Sequence, residues 1–134
     1  QRLGWPEINN LMQKEGFRDI DLLNQAGPTV TARTMGALLE KIYRNQAVSP
    51  KSSQNMTQLL FDQQINNRIP KYLPKDIKVA HKTGELDTIR NDAGIVYGKN
   101  GDYIFVFLTD TKKPLDATEQ IATLSKKILE ELEK

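Results

Sequence analysis

The run His81-Lys82-Thr83-Gly84-Glu85 gathers the groups best suited to hold an anion. Lys82 brings a point positive charge on a flexible stem, and Thr83 a hydroxyl that can donate a hydrogen bond. Gly84 has no Cβ, so a ligand can approach the backbone closely there. The backbone N–H of Glu85 can then face a developing oxyanion, where a fixed donor stabilises negative charge. Taken alone, Lys-Thr-Gly also describes a strand end with a solvated lysine. His81 is the only histidine, and without cysteine it cannot anchor an ordinary metal site. It reads as a strand residue beside the anion-holding groups, and no metal or cofactor is expected.

Acyl transfer needs an activated nucleophile as well as an anion cradle. One arrangement is Ser-x-x-Lys on a helix, and the 134 residues contain none: Ser49, Ser52, Ser53 and Ser125 all lack a lysine three places on. Ser53-Gln54-Asn55 and Tyr43-Arg44-Asn45 are two further triplets that set a hydroxyl two places before an amide. Both fall in or at the end of helical segments and read as polar residues of helix surfaces.

The elements that must position these residues emerge from periodicity and punctuation. Pro6 opens a first helix with Ile8, Leu11 and Met12 at helical spacing, and Gly16 stops it. Trp5 reads as a packing residue. Residues 17–30 read as a loop. Thr31 is an N-cap for a second helix with the stripe Met35, Leu38, Leu39, Ile42 and Tyr43. Ser49-Pro50 opens a third, with Met56, Leu59 and Leu60 as its apolar face. Residues 64–76 form an irregular crossing. From Ile77 the alternation becomes strand-like and leads into Lys82. Ala93–Tyr97 and Tyr103–Leu108 are further strands joined through Asn100-Gly101, a strong hairpin signal. Asp116 to Glu119 forms a capping-box pattern before a last helix with Ile121, Leu124, Ile128 and Leu132 on one face. The order predicts an α+β fold: a three-stranded antiparallel sheet with preceding helices and a C-terminal helix.

The run HKTGELDTIRNDAGIVYG, the hairpin after it and the strand YIFVFLTD resemble the C-terminal part of class A β-lactamases and their penicillin-recognising relatives. TARTMGALLEKIYRNQAVSP resembles the family's helix after its active-site loop, and QQINNRIPKYLP the segment that leads to the Lys-Thr-Gly strand. The resemblance spans roughly residues 3–134, so residues 1–134 read as the C-terminal part of one catalytic domain, without the nucleophile-bearing part. It implies a β-lactamase/transpeptidase-like fold and β-lactam ring opening through an acyl-enzyme. Lys82 and Thr83 would bind the carboxylate of a β-lactam or peptidoglycan peptide, Gly84 would permit close approach, and the Glu85 N–H would be one oxyanion donor. The resemblance also implies a cation near the next strand. Arg90 is a candidate, although the count from Lys82 lands on Asp92. In the active-site loop Asn24 can match the family's asparagine, but the residue four before it is Ile20, not an acid. Asp19 or Asp21 would serve only in a shifted register, and a solvated acidic turn is the favoured reading.

Bulk properties narrow the partners. A net charge of +2, with bases scattered among acids, gives no nucleic-acid footprint, and no apolar stretch has membrane-spanning length. The expected partners are the ligand and either the missing N-terminal half or a second copy. The reason is that Ile95, Tyr103, Phe105 and Phe107 would lose cover in the chain alone. By resemblance only, the location is the exterior or envelope of a bacterium. The alternative to a hydrolase part is a non-catalytic remnant that binds cell-wall peptide or a protein partner.

Overall fold

The structure, a computed structural model, describes residues 3–134. Helix α1 spans Trp5–Lys14, and a two-residue ladder pairs β1, Ile20–Asp21, with β2, Thr29–Val30. Helices α2, Ala32–Tyr43, and α3, Pro50–Phe61, come next. A 3₁₀ turn at Ile69–Tyr72 leads to β3, Lys78–Glu85, β4, Arg90–Tyr97, and β5, Asp102–Phe107, and α4 covers Pro114–Leu132. The sheet order is β3-β4-β5, antiparallel throughout. This is the expected α+β architecture.

Local signals placed most boundaries. Thr31 Oγ1 accepts from the Thr34 N–H at 3.2 Å, and Ser49 Oγ from the Ser52 N–H at 3.1 Å. The turn between β4 and β5 closes with Gly98 N–H donating to the Gly101 carbonyl at 3.0 Å. Glu133 accepts from the N–H groups of Lys99 and Asn100, fastening this turn to the end of α4.

The sheet separates two apolar clusters. On one face Val96 and Phe105 pack with Ile69, Leu73, Ile121 and Leu129, under α4 and the 3₁₀ turn. On the other, Ala93 and Ile95 pack with Leu39 and, around them, Met35 and Leu60, beneath α2 and α3. Side chains alternate across a strand, so this division also sorts the site residues.

Several expectations change. Ile95 and Phe105 are buried by the chain's own helices, whereas Tyr103 and Phe107 remain partly open. In α3 the inward stripe is Ser53, Met56, Thr57 and Leu60, and Leu59 is 71% exposed. In α4 the buried stripe is Ala117, Ile121, Ser125 and Leu129; Leu124, Ile128 and Leu132 lie on its exposed flank. The helix starts at Pro114, not after Asp116, and Glu119 pairs with Lys71 and Tyr72 instead of closing a capping box. Trp5 is exposed, and the 17–30 loop contains the small β1–β2 ladder.

Candidate functional site

Lys82, Thr83, Gly84 and Glu85 form the C-terminal end of β3, which among the described residues pairs with β4 alone and is an edge of their sheet. Arg90 reveals the direction of its backbone groups. The N–H of Arg90 donates to Thr109 Oγ1 at 3.2 Å, and the Thr109 hydroxyl donates to the Arg90 carbonyl. Both groups thus point to the β5 side. Glu85 lies directly opposite Arg90. Antiparallel partners point their backbone groups either at each other or away, so the N–H and carbonyl of Glu85 face the open edge. Thr83, two residues earlier, shares that direction. Its carbonyl takes a hydrogen bond from Lys82 Nζ at 2.6 Å, which brings the ammonium to the same edge.

The side chains divide by face. Lys82 and Gly84 lie on the face covered by α2 and α3; His81, Thr83 and Glu85 share the face of the 3₁₀ turn and α4. Thr83 is buried, yet its hydroxyl makes no hydrogen bond among the described residues. Gly84 has no left-handed backbone, and a Cβ built on it would meet Asn91 Cβ at an ordinary 3.6 Å. Nothing among the described residues therefore requires glycine at this position. Gly94 is the contrast: a Cβ there would sit 2.4 Å from His81 Cβ, so packing across β3 and β4 demands the small residue.

A buried polar frame holds this end of the strand. His81 Nδ1 faces Asp92 Oδ1 at 2.9 Å, and its Nε2 faces Asn66 Oδ1 at 3.0 Å. The second oxygen of Asp92 accepts from the Ile69 N–H at 3.0 Å. Asp92 therefore ties β3 to the 3₁₀ turn and is not available as a ligand-binding group.

Arg68 is the residue that sequence reasoning missed. It is 0% exposed, and its Nη2 donates to Glu85 Oε1. Its Nε and Nη1 are buried and have no partner among the described residues. The hydrogen bond and charge of Arg68 hold the Glu85 carboxyl below its usual range. The one local clue was an arginine preceding Ile69-Pro70 in a crossing whose apolar residues had to go inside. Buried donors left unmatched are costly, which sets Arg68 apart from the satisfied polar groups around it.

The remaining candidates have other tasks. The Arg90 guanidinium donates to the carbonyls of Leu86 and Ile89 and braces the β3–β4 turn. Asn24 Oδ1 accepts from the Ala26 N–H at 2.9 Å, and Asp21 Oδ1 from the Leu23 N–H at 2.9 Å, both local turns on the surface. Ser53 is fully buried and its hydroxyl bridges the N–H and carbonyl of Ala47, while the Tyr43 hydroxyl donates to Asp102. Neither triplet forms part of the β3 edge. Among the described residues, no group of three metal-ligating side chains comes together, and no helix is long and apolar enough to cross a membrane.

Comparison with known proteins adds independent support. A family model described as the β-lactamase enzyme family matches residues 1–132. β-Lactamase VEB-1 of Pseudomonas aeruginosa is 33% identical over 109 residues, covering 73% of this chain and 35% of that protein. The TLA-1 extended-spectrum β-lactamase superposes with a TM-score of 0.84 at 27% identity, over 98% of this chain and 55% of its own. PBP-A gives 0.89 at 25% identity, over 97% and 52%; its L158E mutant has been solved as an acyl-enzyme complex with penicillin G. The chain thus spans about a third of the curated relative's length and about half of these solved structures.

Proposed function

The chain belongs to the β-lactamase enzyme family, and from that premise we propose that its β3 edge binds the carboxylate of a β-lactam or a peptidoglycan peptide. Lys82 supplies the ammonium, Thr83 the hydroxyl, and Glu85 the outward N–H for the oxyanion. The carrying observation is the convergence of donors at one strand end. Among the described residues the Thr83 hydroxyl makes no hydrogen bond, two buried Arg68 nitrogens have no partner, and the Lys82 ammonium donates to a backbone carbonyl alone. Arg68, rather than Arg90, is the guanidinium of this site, because Arg90 is engaged by its own turn. Acyl transfer then requires an activated serine from outside these 134 residues, since no Ser-x-x-Lys occurs among them. An envelope or extracellular location in a bacterium suits ligands of this kind.

A second reading, a non-catalytic module that holds a cell-wall peptide, draws on the loop. Asn24 and Asp21 use their side-chain oxygens on neighbouring N–H groups, and no acid stands four residues before Asn24. Both readings use the same edge and differ in whether a covalent step succeeds binding.

The test combines calorimetry with intact-mass spectrometry of the chain incubated with benzylpenicillin. Reversible binding with an unchanged mass is expected. A penicilloyl adduct on any serine of the chain would show that the nucleophile has been misjudged, and an absence of binding would remove the proposed edge.

A further inference from the structure

Asn100 is the one asparagine of the chain that is followed by glycine. It stands in the turn between β4 and β5, where Asn100 and Gly101 are both exposed. The Gly101 carbonyl closes the turn, but its N–H makes no hydrogen bond among the described residues. That nitrogen carries no hindering side chain beside it and can close a five-membered ring on Asn100 Cγ. Other asparagines are placed differently. Asn66 is engaged by His81 and the carbonyls of Gln63 and Gln64, and Asn91 Oδ1 accepts from the Thr109 N–H.

The same residue joins the turn to the end of α4. The Asn100 N–H donates to the Glu133 carboxylate at 3.1 Å, and Asn100 Nδ2 donates to the Glu133 carbonyl at 3.0 Å. Helix α4 ends at Leu132, so these bonds hold its last turn, the part of a helix that opens most easily.

We propose that Asn100 is a site of spontaneous deamidation and that the reaction releases the hairpin from α4. The Gly101 nitrogen gives its proton to solvent hydroxide and bonds to Asn100 Cγ. The side-chain nitrogen takes a proton from water and leaves as ammonia, giving a succinimide. A water molecule then opens the ring. Attack at Cγ breaks the new bond and yields aspartate. Attack at the Asn100 backbone carbonyl breaks the original peptide bond and yields isoaspartate, whose chain runs through the former side chain. Either product exchanges the amide donor for a carboxylate. The bond to the Glu133 carbonyl is lost, and two negative charges stand together. The turn lies at the opposite end of the strand pair from Glu85, because Tyr97 pairs with Lys78. The proposal is therefore independent of the carboxylate-binding reading.

Peptide mapping by mass spectrometry, after the chain is aged in warm, mildly alkaline buffer, tests this. A gain of about one dalton is expected on the peptide that holds Asn100, as both aspartate and isoaspartate. Its rate should rise in step with hydroxide, and Asn100→Ser should show no gain there. Asn100→Asp should melt below the parent. Its amides in the last turn of α4 should exchange about tenfold faster, the loss of a hydrogen bond with a like charge added. An unchanged mass at Asn100, or a gain shared equally with Asn66 and Asn91, would overturn the site. Melting and exchange of Asn100→Asp equal to the parent's would overturn the release of the hairpin.

Discussion

His81 and Asp92 face each other at 2.9 Å across β3 and β4, both buried, and the other oxygen of Asp92 reaches the Ile69 N–H. One carboxylate thus fixes a strand against its neighbour and against the turn that carries Arg68. Removing it strands an imidazole and an N–H in the interior. Asp92→Ala is expected to cost about 2–6 kcal/mol in urea unfolding, about 1–3 kcal/mol for each of the two buried polar groups left unsatisfied. A loss below about 1 kcal/mol would mean that water replaces the carboxylate and that the frame is not structural.

Gly84 separates folding from binding. Its backbone and the 3.6 Å clearance to Asn91 Cβ leave room for a methyl group. Gly84→Ala should therefore unfold within about 0.5 kcal/mol of the parent. Benzylpenicillin binding should nevertheless weaken severalfold, because the added carbon stands where the ligand approaches. Unchanged binding with unchanged stability would mean that the ligand passes elsewhere.

The acid limb of stability should report two exposed carboxylates. Arg68 holds Glu85 below the usual range, and Lys71, then Tyr72, do so for Glu119. A depressed folded-state pKa gives stability that is complete above the unfolded-state value of about 4.3 and is lost as pH falls through the folded value. Thermal melts of Glu85→Gln should lie below the parent at neutral pH and converge with it in acid. A gap that stays constant down to about pH 2 would contradict a charge-borne contact.

Association is expected from the far side of the sheet. A shallow surface beside the free edge of β5 is lined by Tyr103, Phe105, Phe107, Ile128 and Leu132. An open strand edge beside exposed apolar side chains favours pairing with a second copy. Sedimentation at micromolar concentration should show dimers. A monomer with little dye binding would show that the chain covers this edge unaided.

Features readable from the sequence were those decided locally. Thr31 and Ser49 announce their helices because a cap acts over three residues, and the strand ending in Lys-Thr-Gly stood out by alternation. Helix register was less legible: Leu59 and Leu60 are chemically alike, and only packing beneath the sheet chose between them. The capping-box pattern failed because Glu119 found partners 47 and 48 residues away. Arg68 was hidden for the same reason, since its contact with Glu85 spans 17 residues and a fold must first bring the crossing under the strand. Asn24 illustrates the reverse, a motif position whose side chain serves its own turn.

The central claim is that the Lys82–Glu85 edge receives the ligand carboxylate, and amide NMR of the labelled chain titrated with benzylpenicillin tests it most directly. The largest shifts should fall on Thr83, Gly84 and Glu85, shrink with the methyl ester, and disappear in Lys82→Ala while the rest of the spectrum stays folded. Losing that charged contact should weaken binding about tenfold or more. Shifts gathered instead around the groove of Tyr72, Ile77 and Leu129, or persisting unchanged in Lys82→Ala, would contradict the account.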